Sequence, residues 1–167
     1  MKVVILLALV CVACGQQGDM IQGMPMFSNV DSELQFYFQN FSTLTGVSTE
    51  GITAGFTSLP TNVAGECVWG GAWNEVRIDT ASWNTYNWTL FQREQLISHE
   101  LGHCALFLKH INNCSDGSTA PDGTESTCNE GIGMPLSIMN WQMFNSYQAQ
   151  NITQNYYDYL KLNEPIP

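Results

Sequence analysis

Five consecutive residues, His99-Glu100-Leu101-Gly102-His103, restrict this chain more than any other part of its sequence. Residues four apart on an α-helix share one face, about 6 Å from each other, so both imidazoles can reach a single Zn²⁺ at about 2.1 Å. Glu100 is turned about 100° from His99, which keeps it off such an ion yet beside it. There a carboxylate can take a proton from water whose pKa the metal lowers to about 7, and later deliver it to a leaving amine. The segment is therefore expected to be helical. Thr89-Leu90-Phe91-Gln92 has the form of a capping box, and the helix it opens should run through Gln95, Leu96, Ile97 and Leu101 to about Phe107.

Two histidines and a glutamate hold only half a catalytic zinc site, because three protein ligands and an open position are needed. The chain has three histidines, and the third is His110. On a straight helix His110 would share the face of His103 but lie about 10 Å beyond it, too far to share an ion. The helix must then end soon after Phe107 and turn back, although no glycine lies between His103 and His110 to ease the turn. Asp116, Asp122, Glu125 and Glu130 in the following loop compete as third ligand. Asp116, Asp122 and Glu125 also offer oxygen atoms to Ca²⁺, but their spacing fits no calcium loop, and a solvated acidic loop is expected.

The rest of the chain sets the compartment and the organisation. Its 167 residues suffice for one domain with a buried core as a monomer, and 12% charged against 44% hydrophobic residues exclude a disordered chain. Five basic against 15 acidic side chains point away from nucleic acid as a partner and, weakly, from acidic substrates. Residues 1–13 form an apolar run behind Lys2, too short to span a bilayer and placed as a signal peptide. Cys11-Val12-Ala13-Cys14-Gly15 resembles a bacterial lipobox, which implies a lipid on Cys14 as the sole membrane attachment; plain secretion is the alternative. Four cysteines remain after these, an even number in an oxidising compartment, with Cys67–Cys104 and Cys114–Cys128 the favoured pairing of three.

Residues 14–30 read as a tether or loosely packed arm, and residues 31–164 as the domain. Leu34, Phe38 and Phe41 recur at helical spacing from Asp31 to Gly46. Strands are expected at Ile52–Ser58, Glu66–Trp69 and Glu75–Asp79, with Gly70-Gly71 turning a hairpin between the last two. In the third, Val76 and Ile78 alternate with Glu75, Arg77 and Asp79, as on a half-exposed strand. Residues 80–88 read as a loop, and the tryptophans of the segment 69–88 line a cleft, pack in the core or lie on the surface. Residues 111–136 read as a second loop, and Ile152–Leu162 as a final helix stopped by Pro165.

His99-Glu100-Leu101-Gly102-His103-Cys104 and Ser137-Ile138-Met139-Asn140 together resemble the metzincin zinc metalloproteases, whose signature is HExxHxxGxxH followed by a turn with methionine beneath the zinc. Leu106 stands where that clan has glycine, and His110 comes one residue late, with Lys109 at the usual place. A small group of bacterial exported proteins with HELGHC, this later histidine and SIMN looks closer still over roughly residues 65–162. The resemblance implies an α+β zincin-like domain, a small mixed sheet packed on the active-site helix with a C-terminal helix below. It implies His99, His103 and His110 as zinc ligands, Glu100 as general base and acid, and Met139 as the Met-turn residue. It also implies a peptide or protein substrate paired to an upper edge strand. Trp141 occupies the place where astacin-like and serralysin-like members carry a zinc-facing tyrosine, so that oxyanion partner is expected to be absent. The rival readings are a gluzincin-like site completed by Glu125 or Glu130, and an exported zinc-containing binding module for glycan or peptidoglycan.

Overall fold

A computed structural model describes residues 24–70, 72–85, 88–110 and 139. The signal peptide, the lipobox with Cys14, the Cys114–Cys128 pair, the acidic residues 116, 122, 125 and 130, and the C-terminal helix lie outside these residues. No helix among the described residues is long and apolar enough to cross a membrane.

The first helix, α1, spans Gln35–Thr45. It begins later than the apolar spacing suggested because Asp31 first closes a turn, its side-chain oxygen accepting from the Glu33 amide at 2.9 Å and its carbonyl from Leu34 at 2.9 Å. Leu34, Phe38 and Phe41 are buried as their spacing requires, joined by Tyr37. Gly46 stops the helix with φ 74°, a conformation in which a β-carbon would crowd the backbone.

Three strands follow, β1 (Ile52–Thr57), β2 (Gly65–Trp69) and β3 (Asn74–Asp79), in the order β1-β3-β2. The central β3 runs parallel to β1 and antiparallel to β2, so the sheet is mixed and the chain is α+β. The expected hairpin joins β2 to β3, with Trp69 opposite Asn74 and the Gly70 amide donating to the Trp73 carbonyl at 2.8 Å.

The half-exposed reading of β3 is corrected by its surroundings. Val76 and Ile78 face the core, but Glu75 and Asp79 on the other side are buried as well. A central strand has no free edge, and its outer face is covered by residues the sequence placed at the end of the tether. Val30 bridges to Ala54 at the edge of β1, while over the outer face the Phe27 ring packs closely on Gly55 and the Phe27 amide donates to Glu75 Oε2 at 2.8 Å. Arg77 Nε donates to Glu75 Oε1 at 2.7 Å and its Nη1 lies 3.3 Å from Glu66, so the buried carboxylate is both paired and hydrogen-bonded.

The stretch expected as a loop after β3 is in part a short helix, α2 (Thr80–Thr85). Asp79 makes it possible. Its Oδ2 accepts from the Ser82 amide and hydroxyl, each at 2.7 Å, and Oδ1 from the Leu59 amide at 3.1 Å. Burial alone would raise the pKa of Asp79, but these donors hold it below 3.8.

The last described helix, α3 (Leu90–Leu106), starts with the expected capping box: the Thr89 hydroxyl accepts from the Gln92 amide, and the Gln92 side chain accepts from the Thr89 amide. Its Leu96, Ile97, Leu101 and Cys104 close the core against Val76, Ile78, Phe38, Phe41 and Trp83. Each large side chain so buried stabilises the fold by about 1.5–3 kcal/mol. Trp83 is thus core, with the Arg93 guanidinium 4.5 Å above its ring and its indole N–H donating to Glu33 at 2.7 Å.

Candidate metal centre

Helix α3 lies across the inner face of β2, and the two meet at three successive points. Gly65 faces Glu100, Cys67 is disulfide-bonded to Cys104, and the Trp69 ring lies 6.3 Å from that of Phe107. Two strand residues advance about 6.8 Å and one helical turn about 5.4 Å, so alternate strand residues meet successive turns. The favoured pairing of Cys67 with Cys104 is therefore observed, and Cys104 faces the sheet while its neighbour His103 faces the ring of His99.

His99 and His103 project from one face of α3 and are both buried. The Nε2 atoms of His99 and His103 are 3.1 Å apart, and those of His99 and His110 are also 3.1 Å apart. The ring centroids of His103 and His110 are 4.9 Å apart. Two imidazoles at this distance could share a proton. Around a metal ion with bonds of about 2.1 Å, the edge of a coordination tetrahedron is about 3.4 Å, close to these separations. The three rings form a group whose donor atoms all lie within 4.8 Å of one another and could hold a metal ion.

His103 is prepared for that role by its second nitrogen. Nδ1 lies 2.6 Å from the Leu108 carbonyl, which can only accept, so Nδ1 carries the hydrogen and Nε2 presents a lone pair toward the other rings. Burial pushes the His103 pKa down to about 4, with the Leu108 carbonyl opposing and the charge of His110 adding to the shift. The ring is neutral at ordinary pH, as a ligand must be.

The turn that returns His110 to the cluster is made without glycine. Phe107 adopts the left-handed conformation at φ 56°, its amide donating to the His103 carbonyl at 3.1 Å and the Leu108 amide to the Gly102 carbonyl at 3.0 Å. That conformation costs a non-glycine residue about 1–2 kcal/mol. Burial of Leu108 and contact of the Phe107 ring with Trp69 offset it. At the same end of the helix, Asn74 Nδ2 donates to the Cys104 carbonyl at 2.7 Å, occupying a terminal acceptor.

Two glycines complete the site. A β-carbon on Gly65 would lie 3.0 Å from both Cγ and Oε1 of Glu100, so the buried carboxylate packs closely on residue 65 and a side chain there would crowd it. A β-carbon on Gly102 would overlap the Met139 sulfur. Met139 is fully buried, packed on the helix one residue before His103.

Of the residues the sequence had singled out, the structure brings together His99, His103 and His110, sets Glu100 against Gly65 and seats Met139 against Gly102. Gly65, Asn74, Phe107 and the Leu108 carbonyl escaped that reading. None of them carried a local signal: Gly65 stands just ahead of the strand expected at Glu66–Trp69 and opens β2. No protein family matches this chain, and neither a curated protein nor a solved structure matches it.

Proposed function

We propose that this protein is a zinc-dependent metalloendopeptidase with a metzincin-like, zincin-type domain, exported behind residues 1–13 and anchored through Cys14. The observation that carries the reading is the convergence of the His99, His103 and His110 Nε2 atoms, with Glu100 following His99 on the same helix. Three imidazoles suit zinc among the common divalent ions, and three protein ligands leave a position open. When bound, zinc supplies a Lewis acid that polarises a peptide carbonyl and makes water acidic near neutral pH.

The chain's own residues do the remainder. Glu100, held against Gly65, accepts a proton from the attacking water on its carboxylate and passes it to the departing peptide nitrogen. The Leu108 carbonyl keeps His103 in the tautomer that ligates. Among the described residues, β2 has β3 on one side and no strand on the other, and in this reading an extended peptide pairs with that outer edge.

Metal analysis combined with casein or gelatin cleavage tests the proposal. The purified chain is expected to hold one zinc and to cleave, and Glu100→Gln to keep the zinc while losing about 10²–10⁴-fold in rate. His110→Ala should lose zinc. Equal cleavage by wild type and Glu100→Gln, or a wild type that takes up no metal, defeats the reading. A zinc-loaded wild type that cuts no peptide but retains a glycan would instead support the binding module.

A further inference from the structure

We infer that Trp69 and Phe107 form a subsite for one apolar side chain of the peptide substrate, aromatic residues fitting best, about four residues from the bond that is cut. This rests on the peptidase reading of the His99, Glu100, His103 and His110 cluster and extends it to substrate choice.

Both rings are open to solvent, Trp69 at 37% and Phe107 at 67% exposure, whereas Tyr37, Phe38, Phe41 and Trp83 are buried in the core. Their exposure is imposed by the backbone. Trp69 ends the edge strand, and Phe107 occupies the left-handed turn that brings His110 home. The Trp73 ring packs over Gly70 so tightly that no side chain could stand at residue 70, which makes the hairpin end aromatic as well. The Trp69 and Phe107 rings are inclined at 39°, making a shallow corner rather than the flat platform on which a sugar ring would stack.

Position assigns the occupant. Gly65 and Trp69 lie on the same face of β2, four residues apart, about 13 Å along a strand. Gly65 touches Glu100, so the reacting bond lies at that end of the strand. A peptide extended along the outer edge of β2 alternates its side chains with the same period, and the side chain four residues from the reacting bond arrives over the Trp69–Phe107 corner on the α3 side. Burying it there removes apolar surface from water on the substrate and on both rings.

The test is a set of peptides, each cleaved at one bond, in which the third to fifth residues on either side are varied among Phe, Leu and Ser. At one of these positions wild type is expected to favour Phe and Leu over Ser by on the order of tenfold or more in kcat/KM. Trp69→Ala should bring that ratio toward one, and so should Phe107→Gly, a substitution the left-handed turn accepts; unfolding midpoints and zinc content show whether each variant is intact. An indifferent wild type, or a preference surviving both substitutions, overturns the inference. Binding of the same peptides to Glu100→Gln, followed by calorimetry, separates the two readings. Tighter binding of the Phe peptide, lost with Trp69→Ala, upholds the subsite even if wild type cleaves nothing. Equal binding of Phe and Ser peptides, or a chito-oligosaccharide bound through Trp69 instead, overturns it.

Discussion

Replacing Cys67 and Cys104 together by alanine should lower the midpoint of thermal unfolding by roughly 8–16 °C. The disulfide joins residues 37 apart in sequence. In the chain-entropy treatment, a closed loop of that length removes about 13 cal/mol/K from the unfolded ensemble, or roughly 4 kcal/mol at 25 °C. For a domain of this size each kcal/mol moves the midpoint by about 2–4 °C. The packing lost at buried Cys104 adds to the effect, because alanine leaves the space of the sulfur beneath β3 unfilled. Scanning calorimetry on wild type and double variant, at one pH and with unfolding shown to be reversible, measures the difference. Reductant alone is the poorer perturbation, since it would also open any Cys114–Cys128 link. A fall of less than about 3 °C would refute the reasoning, because the unfolded chain would then gain little freedom when the link is removed.

Other perturbations test the packing of the site. Gly102→Ala, at a mid-helix position where alanine ordinarily stabilises by about 1 kcal/mol, should instead destabilise by about 1–3 kcal/mol because the new methyl overlaps the Met139 sulfur; chemical denaturation reads the sign. Gly65→Ala should crowd Glu100 at 3.0 Å and reduce kcat by on the order of tenfold with zinc content unchanged, as judged by metal analysis alongside turnover. Asp79→Asn weakens the cap of α2, and its cost depends on pH. Asp79 has its folded pKa lowered from 3.8, so its contribution is fully present above 3.8 and lost as pH falls through the lower folded value. The stability gap between wild type and variant should therefore be constant at neutral pH and narrow below about pH 4 in denaturant titrations.

Local chemistry made much of this molecule readable from its sequence. A capping box, two histidines one turn apart and a cysteine directly after them fix where α3 starts, which face carries the histidines and which face meets the sheet; none of this needs knowledge of distant residues. The Gly70-Gly71 pair marked the hairpin for the same reason. The features that escaped depend on tertiary contacts. Alternation along β3 says which side chains share a face, but not that Phe27, 48 residues from Glu75, would cover the polar one. A left-handed phenylalanine is unfavourable locally and persists because Leu108 is buried and its carbonyl meets His103. Helix α2 was missed because Asp79, read as the last residue of a strand, is also the acceptor that starts the next element.

The three meeting points of β2 and α3 tie the two elements into a shared ruler. Because side chains on a strand reverse direction at every residue, adding or deleting one residue between Gly65 and Trp69 would turn at least one end of this series away from the helix. The clearance over the carboxylate, the covalent link and the aromatic corner would no longer fall on one side. Tolerated length changes in this part of the chain should therefore gather beyond Trp69, in the hairpin turn, where the spacing between reactive group and aromatic corner is left intact.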